Sequence, residues 1–403
     1  MVEAGGGPRF DFRTQDSFLD HLYKDCLVRL GTPDDFKNRR RGLAALEAEV
    51  LRGDYSPRSI VGLLSAPKSA GVPRFIPVFD LRDYIVYFAC VRALDEPLAR
   101  DAIPGTFGGW SLGGARRRTE DGQAQRLIQE VVDDTYAPPS AYNPAAWVKN
   151  WNEYWKLLWI TFRDSPEDSW FVSFDIANFY DSIDLPRLER LLRQHAPEAP
   201  LAIEVLSYLL GAWNNRVTMY ARSSKGLPQD LIGDCSRVLA NAYLLPFDTN
   251  IKATCDPVDA RYFRYADDMV IAARTKADCE RLLFRASEEL NVLGLNINVA
   301  KVRYSRPAEF AQYWGFDVLS GLDARGTVLE AVQTLRNRWD DDAYGRKITA
   351  LRRVLSLASR DPRLASHWPW IREQFCDHDD RLLELSECKC NLWYGSAGET
   401  GAR

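Results

Sequence analysis

Two adjacent carboxylates, Asp267 and Asp268, interrupt a run of aromatic and β-branched residues, FRYADDMVI, at positions 263–271. A run of that composition is typical of a buried strand or hairpin. A further isolated carboxylate, Asp175, ends another apolar, β-prone segment, FVSFD. Carboxylates that two strands bring side by side repel each other and resist ionisation unless a divalent cation lies between them. Mg²⁺, a hard cation that prefers oxygen ligands, is the economical solution.

Two magnesium ions held by such carboxylates would suit nucleotidyl transfer. At a separation of about 3.5–4 Å, one ion activates an attacking hydroxyl and the other steadies the leaving pyrophosphate. The motif order, Asp175, then GLPQ at 226–229, then YADD, resembles the palm of reverse transcriptases. This resemblance runs from about Pro73 to Val318, and several ordered motifs favour it over accident. The alternative role for the aspartates is buried salt bridging.

The resemblance implies a role for each residue that matches a family motif. It makes Asp175, Asp267 and Asp268 the catalytic ligands of two Mg²⁺ ions, which Mn²⁺ can replace. The Ile176 carbonyl is the implied further oxygen ligand. Tyr180 lies where the family keeps an aromatic ring under the sugar of the incoming nucleotide. Because such a ring would clash with a ribose 2′-OH, the implied substrate is a dNTP.

The same resemblance indicates how the nucleotide is bound. Gln229, in the GLPQ loop, would contact the nucleotide and the template. In the segment RFIPVFDLRDYIVY, Arg74 is the candidate residue that binds the triphosphate of the nucleotide. Its planar guanidinium suits bidentate phosphate binding. Lys68 is the alternative residue for that role. The Arg82–Asp83 pair later in the same segment is interpreted as structural.

Two further segments receive roles from the resemblance. GLNINVAKV matches the segment after the palm helix, which nominates Lys301 as the proton donor to pyrophosphate. An ordinary surface lysine is the alternative explanation at that position. YWGFDV resembles the primer-grip hairpin, which would bring Trp314 and Gly315 near the primer end. The surrounding EFAQYWGFDVLSG, residues 309–321, is accordingly expected to form strands.

The alternation of elements predicts an α+β fold, and the resemblance implies a right-hand polymerase with fingers, a ferredoxin-like palm and a helical thumb. A chain of 403 residues is long enough for several lobes. From Trp170 to about Leu319, strands and helices alternate in a compact order. The expected domains are an N-terminal helical region at 1–70, fingers with a Trp-rich helix at 71–169, the palm at 170–322, and a helical thumb or C-terminal region at 323–403.

Two glycine-bearing segments are expected to be loops. IPGTFGGWSLGG, residues 103–114, has too many glycines for a regular helix or strand. It is therefore predicted to be a loop that approaches another part of the chain closely. SAPKSAGVP, residues 65–73, is predicted to be a loop that leads into an extended and then a helical segment.

A tryptophan stripe is expected on one face of the helix that follows Asn143 and Pro144, which suit its N-cap and first turn. Its members recur every four residues: Trp147, Trp151, Trp155 and Trp159. Core packing or a subunit contact is favoured over base stacking, because the helix lacks interleaved arginines.

Composition limits the partners of the chain. A net charge of −4 argues against a protein that coats nucleic acid through a uniformly basic surface, so such contacts must be local. The basic clusters at 37–41 and 116–118 are more typical of solvated faces than of phosphate clamps. No apolar run is long enough to span a bilayer, and the N-terminus lacks the apolar core of a signal peptide. We therefore expect a cytoplasmic protein with no membrane partner.

The cysteines indicate a reducing compartment rather than a disulfide framework, because the eight of them are scattered along the chain. One cluster, Cys376, His378, Cys388 and Cys390, has ligand types that suit zinc. The usual two-residue gap between paired cysteines is missing there, so thiols near a helix end are the favoured interpretation.

The finer resemblance is to bacterial abortive-infection and defence-associated reverse transcriptases of the unknown group. It rests on GLPQD followed by SRVLANAYLLPFD, with Asp230 where the family commonly has glycine. The resemblance implies antiphage function, RNA-directed or untemplated DNA synthesis, and a companion noncoding RNA or a protein primer. It also implies homo-oligomers or a companion protein. For protein priming, the C-terminal segment offers the hydroxyls of Tyr394, Ser396 and Thr400, against the alternative of a disordered end.

Two other functions remain open from the sequence. One is a retroelement or diversity-generating reverse transcriptase that copies one defined RNA into defined cDNA. The other is a catalytically idle palm that serves as an RNA-binding scaffold, which the intact carboxylates disfavour because an idle site gains nothing from clustered charge.

Overall fold

The structure is a computed structural model that describes residues 39–67, 73–110, 112, 146–217, 225–229, 234–316, 328–340, 366–367 and 369–370. These residues fall into two compact units. The first lies within 1–64, 76–158 and 170–304, and the second within 65–75, 159–169 and 305–403. These two units do not test the predicted division into four lobes, which stays a prediction.

The first described elements alternate helix and strand. Helix α1, Arg39–Arg52, confirms the helix predicted for AALEAEVLRG, and Gly53 follows it with a φ of 77°. Strands β1, Gly62–Pro67, and β2, Pro73–Val78, form a two-stranded sheet. The loop predicted at 65–73 is therefore wrong at its start, where 65–67 continue β1. Helix α2, Leu81–Arg100, begins at Asp80, whose side chain accepts from the Arg82 N–H at 2.9 Å.

A five-stranded sheet is the centre of the first unit. Its strands are β3 Thr106–Phe107, β4 Trp170–Phe174, β5 Arg261–Tyr265, β6 Asp268–Ala273 and β7 Arg303–Ser305. They lie in the order β3-β5-β6-β4-β7. The β5–β6 and β4–β6 pairs are antiparallel and the β3–β5 pair is parallel. This confirms the predicted hairpin, whereas β3 shows that the glycine-rich segment does contain a short strand.

Seven described helices lie in sequence between the strands of that sheet. They are α3 Ala146–Asp164, α4 Phe179–Ser182, α5 Leu185–His195, α6 Pro200–Val217, α7 Asp234–Tyr243, α8 Leu245–Cys255 and α9 Lys276–Val292. Short 3-10 turns occupy Asp256–Val258 and Val299–Lys301. The mixture of helix and sheet agrees with the predicted α+β class. Among the described residues, no helix is both long and apolar enough to cross a membrane.

The core of the first unit is built around α2, which is buried along most of its length. Phe79 stacks on Trp213 with ring centroids 3.7 Å apart. Asp83 is buried and accepts from the Tyr55 hydroxyl at 2.8 Å and from Trp213 Nε1 at 3.4 Å. Arg82 instead forms an ion pair with Glu49. The predicted pairing of Arg82 with Asp83 is therefore wrong, although both residues hold the fold together.

The second unit contains α10, Pro307–Trp314, and α11, Val328–Asn337. The strands predicted at 309–321 are thus wrong where the structure describes them, through Phe316. Local signals explain the helix. Pro307 occupies the first turn, the Glu309 carboxylate accepts from the Arg306 N–H at 2.9 Å, and Gly315 ends the helix with a φ of 67°.

Candidate active site

The paired aspartates lie at the turn of the β5–β6 hairpin. Tyr265 pairs with Asp268, so Ala266 and Asp267 form a two-residue turn between the strands. Ala266 has a φ of 52°, in the left-handed region that side-chain-bearing residues rarely adopt. The hairpin therefore carries Asp267 in the turn itself and Asp268 on the first position of β6.

Asp175 reaches the same end of the sheet from β4. Phe174 pairs with Met269, so the next positions along these antiparallel strands are Asp175 and Asp268. The segment after Asp175 is fixed from the other side, because the Asn298 N–H donates to the Asp175 carbonyl at 2.9 Å and Ile176 forms a bridge with Ile297. The structure thus brings together the three carboxylates that the sequence singles out.

The electrostatics of this cluster show how closely its charges interact. Burial, and then the neighbouring charges of Asp268 and Asp175, raise the pKa of Asp267 to about 6. Asp175 is buried, and its Oδ2 forms an ion pair with the Lys301 ammonium. Its Oδ1 is also buried and has no hydrogen-bond partner. The hydrogen bond to Asp175 is the main cause that raises the pKa of Lys301.

The GLPQ loop lies beside the helix that bears Tyr180. The Leu227 N–H donates to the Tyr180 carbonyl at 2.9 Å, and the Gly226 N–H donates to the Ile183 carbonyl at 2.8 Å. Asn214 Nδ2 donates to the Gly226 carbonyl at 3.0 Å. These bonds fix the loop that ends in Gln229 next to α4 and so connect two of the predicted nucleotide contacts.

A comparison with protein families identifies this arrangement. Residues 126–318 match the family model described as "Reverse transcriptase (RNA-dependent DNA polymerase)". Over these residues, the chain is similar to reverse transcriptases. The chain is accordingly an RNA-directed DNA polymerase, a nucleotidyltransferase, and the domain implies the palm, fingers and thumb of polymerases. No curated protein matches the chain.

The reverse transcriptase domain implies nucleotide substrates, a nucleic-acid template and divalent metal ions. Among the described residues, no group of three or more His, Cys, Asp or Glu side chains is arranged to hold a metal ion. The donor chemistry nevertheless fits a hard cation. Asp175 Oδ1 is a buried carboxylate oxygen without a partner, and Asp267 is partly buried among like charges. The residue types therefore suit a hard cation, and Lys301 neutralises part of their negative charge.

The sequence analysis does not identify three residues that form hydrogen bonds at the base of the hairpin. They are Arg264, Asp248 and Asn241. Arg264 is fully buried and forms a two-point ion pair with Asp248, at 2.8 Å and 2.5 Å. Its Nη1 donates to Asn241 Oδ1 at 2.6 Å. The signal was present in the sequence, because an arginine inside an apolar strand must find a buried acceptor.

The tryptophan helix also packs on the hairpin of the reverse transcriptase domain. Trp151 meets the Tyr265 ring edge-on with centroids 4.9 Å apart, and Tyr154 lies 5.6 Å from the same ring. This contact agrees with the core-packing interpretation of Trp151. Burial raises the pKa of Tyr265 to about 12. The first residue of YADD is thus a packing residue.

Other predicted residues are not placed in this cluster. Arg74 lies in β2, outside the segment matched to the reverse transcriptase family. Trp314 is buried in α10 and Gly315 caps that helix, so the predicted hairpin there is wrong and their primer contact stays a prediction. The remaining candidates lie outside the described residues: Lys68, Asp230, Cys376, His378, Cys388, Cys390, Tyr394, Ser396, Thr400, the cluster at 116–118, and Lys37 and Asn38 of that at 37–41.

Proposed function

We propose that the reverse transcriptase domain adds dNTPs to a primer by two-metal nucleotidyl transfer at the Asp175, Asp267 and Asp268 cluster. One observation carries the proposal: strands β4 and β6 bring these carboxylates to one end of a sheet, with an unpartnered buried oxygen on Asp175. The Lys301 ammonium neutralises part of the negative charge of these three carboxylates. Divalent cations would complete the balance of charge.

Each residue has a defined task in this reaction. When bound, the two Mg²⁺ ions would activate the primer hydroxyl and stabilise the leaving pyrophosphate. The carboxylates and the Ile176 carbonyl would hold them, and Lys301 carries the proton that pyrophosphate would accept as it leaves. Lys301 lies within ion-pair distance of Asp175, so its ammonium is beside the carboxylate cluster.

The nucleotide itself would be bound by elements around α4. Tyr180 would lie under the sugar and exclude a ribose 2′-OH, and Gln229 would contact the base or the template. The loop contacts at Leu227 and Gly226 support this pairing of roles. Arg74 would hold the triphosphate, and Trp314 with Gly315 would lie near the primer, as the resemblance of their segments implies.

The biological setting that we propose is antiphage defence, with a companion noncoding RNA or a protein primer and an oligomeric assembly. The GLPQD and SRVLANAYLLPFD segments support this assignment through their resemblance to defence-associated enzymes. We also propose the four lobes at 1–70, 71–169, 170–322 and 323–403 as its N-terminal region, fingers, palm and thumb. A retroelement or diversity-generating enzyme is the second candidate, and an idle RNA-binding scaffold is the third.

Charge removal at the hairpin tests the chemistry. In an Asp267→Asn, Asp268→Asn double variant, we expect dNTP incorporation to fall by at least about 100-fold. The matched control is Asp256→Asn, Asp259→Asn, which removes two exposed carboxylates just before β5. Circular dichroism and thermal unfolding would show that both variants fold. Activity that survives the hairpin change would refute the proposed site.

Sequencing the nucleic acid that copurifies with the active protein tests the biology. Homopolymer or short-repeat DNA that is absent from the hairpin double variant would support the defence assignment. One defined cDNA complementary to a single RNA would favour the retroelement or diversity-generating enzyme. RNA alone, together with no incorporation by the wild type, would favour the scaffold.

A further inference from the structure

The buried polar network behind the hairpin contains more than an ion pair. Besides its bonds to Asp248 and Asn241, Arg264 donates through Nη1 to the Ala266 carbonyl at 3.0 Å. Tyr262 adds a hydroxyl bond to Asp248 Oδ1 at 2.8 Å. Arg264, Asp248 and Asn241 are all buried, so water does not compete for these bonds.

The bond from Arg264 to the Ala266 carbonyl holds the peptide that precedes Asp267. Ala266 has its left-handed φ of 52° directly before Asp267, so the peptide that follows it sets the direction of the Asp267 side chain. A residue held in this conformation has to be kept there by its surroundings. Arg264 provides one such contact from inside the core.

The glycine-rich segment provides the opposite contact to the same turn. The Ala266 N–H donates to the Phe107 carbonyl at 3.2 Å. A Cβ atom on Gly108 would lie 2.6 Å from the Ala266 nitrogen, so only glycine permits this approach. Asn241 Nδ2 donates to the Gly109 carbonyl at 2.9 Å, and Asn241 therefore ties the glycine-rich segment to Arg264.

Stability alone does not explain why the chain buries the charges of Arg264 and Asp248. Buried ion pairs generally add little stability over well-packed apolar residues of similar size, because both charges lose their hydration. In some proteins such pairs fix one geometry among several. Here the geometry that is fixed is the turn with its catalytic carboxylate.

We propose that Arg264, Asn241 and Asp248 are positioning residues that hold the Ala266 peptide, and through it aim the Asp267 carboxylate at the shared cation site. This inference rests on the proposed function, because it gives the network a role in cation binding. The network would act as outer-shell partners act at metal sites, where their loss typically weakens affinity or activity by about 10–100-fold.

Direct binding of Mn²⁺, followed by electron paramagnetic resonance, tests the inference without relying on activity. Arg264→Lys keeps the charge opposite Asp248 but cannot reach Asn241 and Ala266 together. Asn241→Leu keeps the Arg264–Asp248 pair and removes the connection to Gly109. We expect each folded variant to bind Mn²⁺ about tenfold more weakly and to need correspondingly more Mg²⁺ for incorporation. The KM for dNTP should stay near the wild-type value.

Tyr55→Phe is the matched control, because it removes a different buried hydrogen bond, to Asp83, in the same unit. It should lower the melting temperature and leave Mn²⁺ affinity unchanged. If Arg264→Lys does not fold, Asn241→Leu decides the matter. Mn²⁺ affinity within about twofold of wild type in the Asn241 variant, with a melting temperature lowered as in Tyr55→Phe, would overturn the inference.

The hairpin double variant separates this failure from failure of the proposed function. If wild type binds Mn²⁺ and Asp267→Asn, Asp268→Asn abolishes binding, the cation site stands, and the network variants alone decide the positioning role. If wild type does not bind Mn²⁺, the proposed site and the positioning role are both wrong.

Discussion

Asp267 makes the stability of the protein depend on pH. Its pKa rises from an ordinary 3.8 to about 6 because it is buried beside Asp268 and Asp175. The folded chain therefore binds this proton more tightly than the unfolded chain does. The resulting stabilisation is complete below about pH 4 and is lost as pH rises through about 6, a change of about 3 kcal/mol.

Removing that charge should stabilise the protein at neutral and alkaline pH. We expect Asp267→Asn to raise the melting temperature by a few degrees at pH 8 in EDTA, and to have little effect near pH 4. Added Mg²⁺ should stabilise wild type at pH 8 far more than the variant, because it binds the charged folded site. Differential scanning calorimetry measures both effects. An Asp259→Asn control should show neither, and a variant that is less stable than wild type at pH 8 would contradict the argument.

Tyr180 is the residue whose change should alter the choice of sugar. Tyr180→Val removes the ring that we place under the nucleotide sugar, so space opens for a ribose 2′-OH. We expect the preference for dNTP over rNTP, measured as the ratio of kcat/KM values, to fall by roughly tenfold or more. Tyr208→Val, on the exposed face of α6, is the matched control. An unchanged ratio in Tyr180→Val would remove Tyr180 from the nucleotide site.

The contact between the glycine-rich segment and the hairpin gives a prediction about packing. Gly108 has a φ of 107° and no space for a Cβ against the Ala266 nitrogen. Gly108→Ala should therefore destabilise the protein and also displace the turn that bears Asp267. Gly53→Ala is the control, because Gly53 has a φ of 77° but no atom within 4 Å of a Cβ. The control should lose about 1–2 kcal/mol from backbone strain alone.

Urea unfolding together with dNTP incorporation distinguishes the two glycines. Gly108→Ala should lose roughly 1–3 kcal/mol more than the control, because the added methyl group overpacks the contact. Only Gly108→Ala should lower the activity of the fraction that remains folded. Equal losses in both variants would mean that the short approach to Ala266 is unimportant.

Local signals explain which elements the sequence predicts well. Helix α5 coincides with the predicted LPRLERLLRQH, because the Asp184 cap, Pro186 and the spacing of its leucines all lie within it. The sequence prediction of strands is wrong at α10, where the aromatic residues favour β-structure. Its capping signals, Glu309 and Gly315, are equally local and predict the helix that forms.

The candidate site is only partly readable from the sequence, for a physical reason. The three aspartates are visible because each adjoins an apolar strand, and the hairpin pattern brings two of them together. Contacts between distant parts of the chain are not visible in this way. Lys301 meets Asp175 from 126 positions away, and Asn241 meets Gly109 from 132 positions away. Residue type and spacing do not encode such pairings when the partners share no local pattern.

The charge balance of the full chain predicts how it binds nucleic acid. It has 52 Lys and Arg against 56 Asp and Glu. On the described helices, many basic groups are already paired within their own helix, as are Arg193 with Glu189 on α5 and Arg285 with Glu288 on α9. Basic groups that are paired in this way are less available to hold phosphates. Contacts with a primer and template should therefore be few and local.

Salt dependence measures the number of those contacts. For an RNA–DNA primer–template in EDTA, we expect log K to fall with log salt at a slope of about −3 to −5, which corresponds to roughly three to six neutralised phosphates. Fluorescence anisotropy between about 50 and 200 mM KCl gives this slope. A matched series with Arg193→Gln should not change it, because that guanidinium is paired with Glu189. A slope near −10 would instead require an extended basic surface and would contradict local binding.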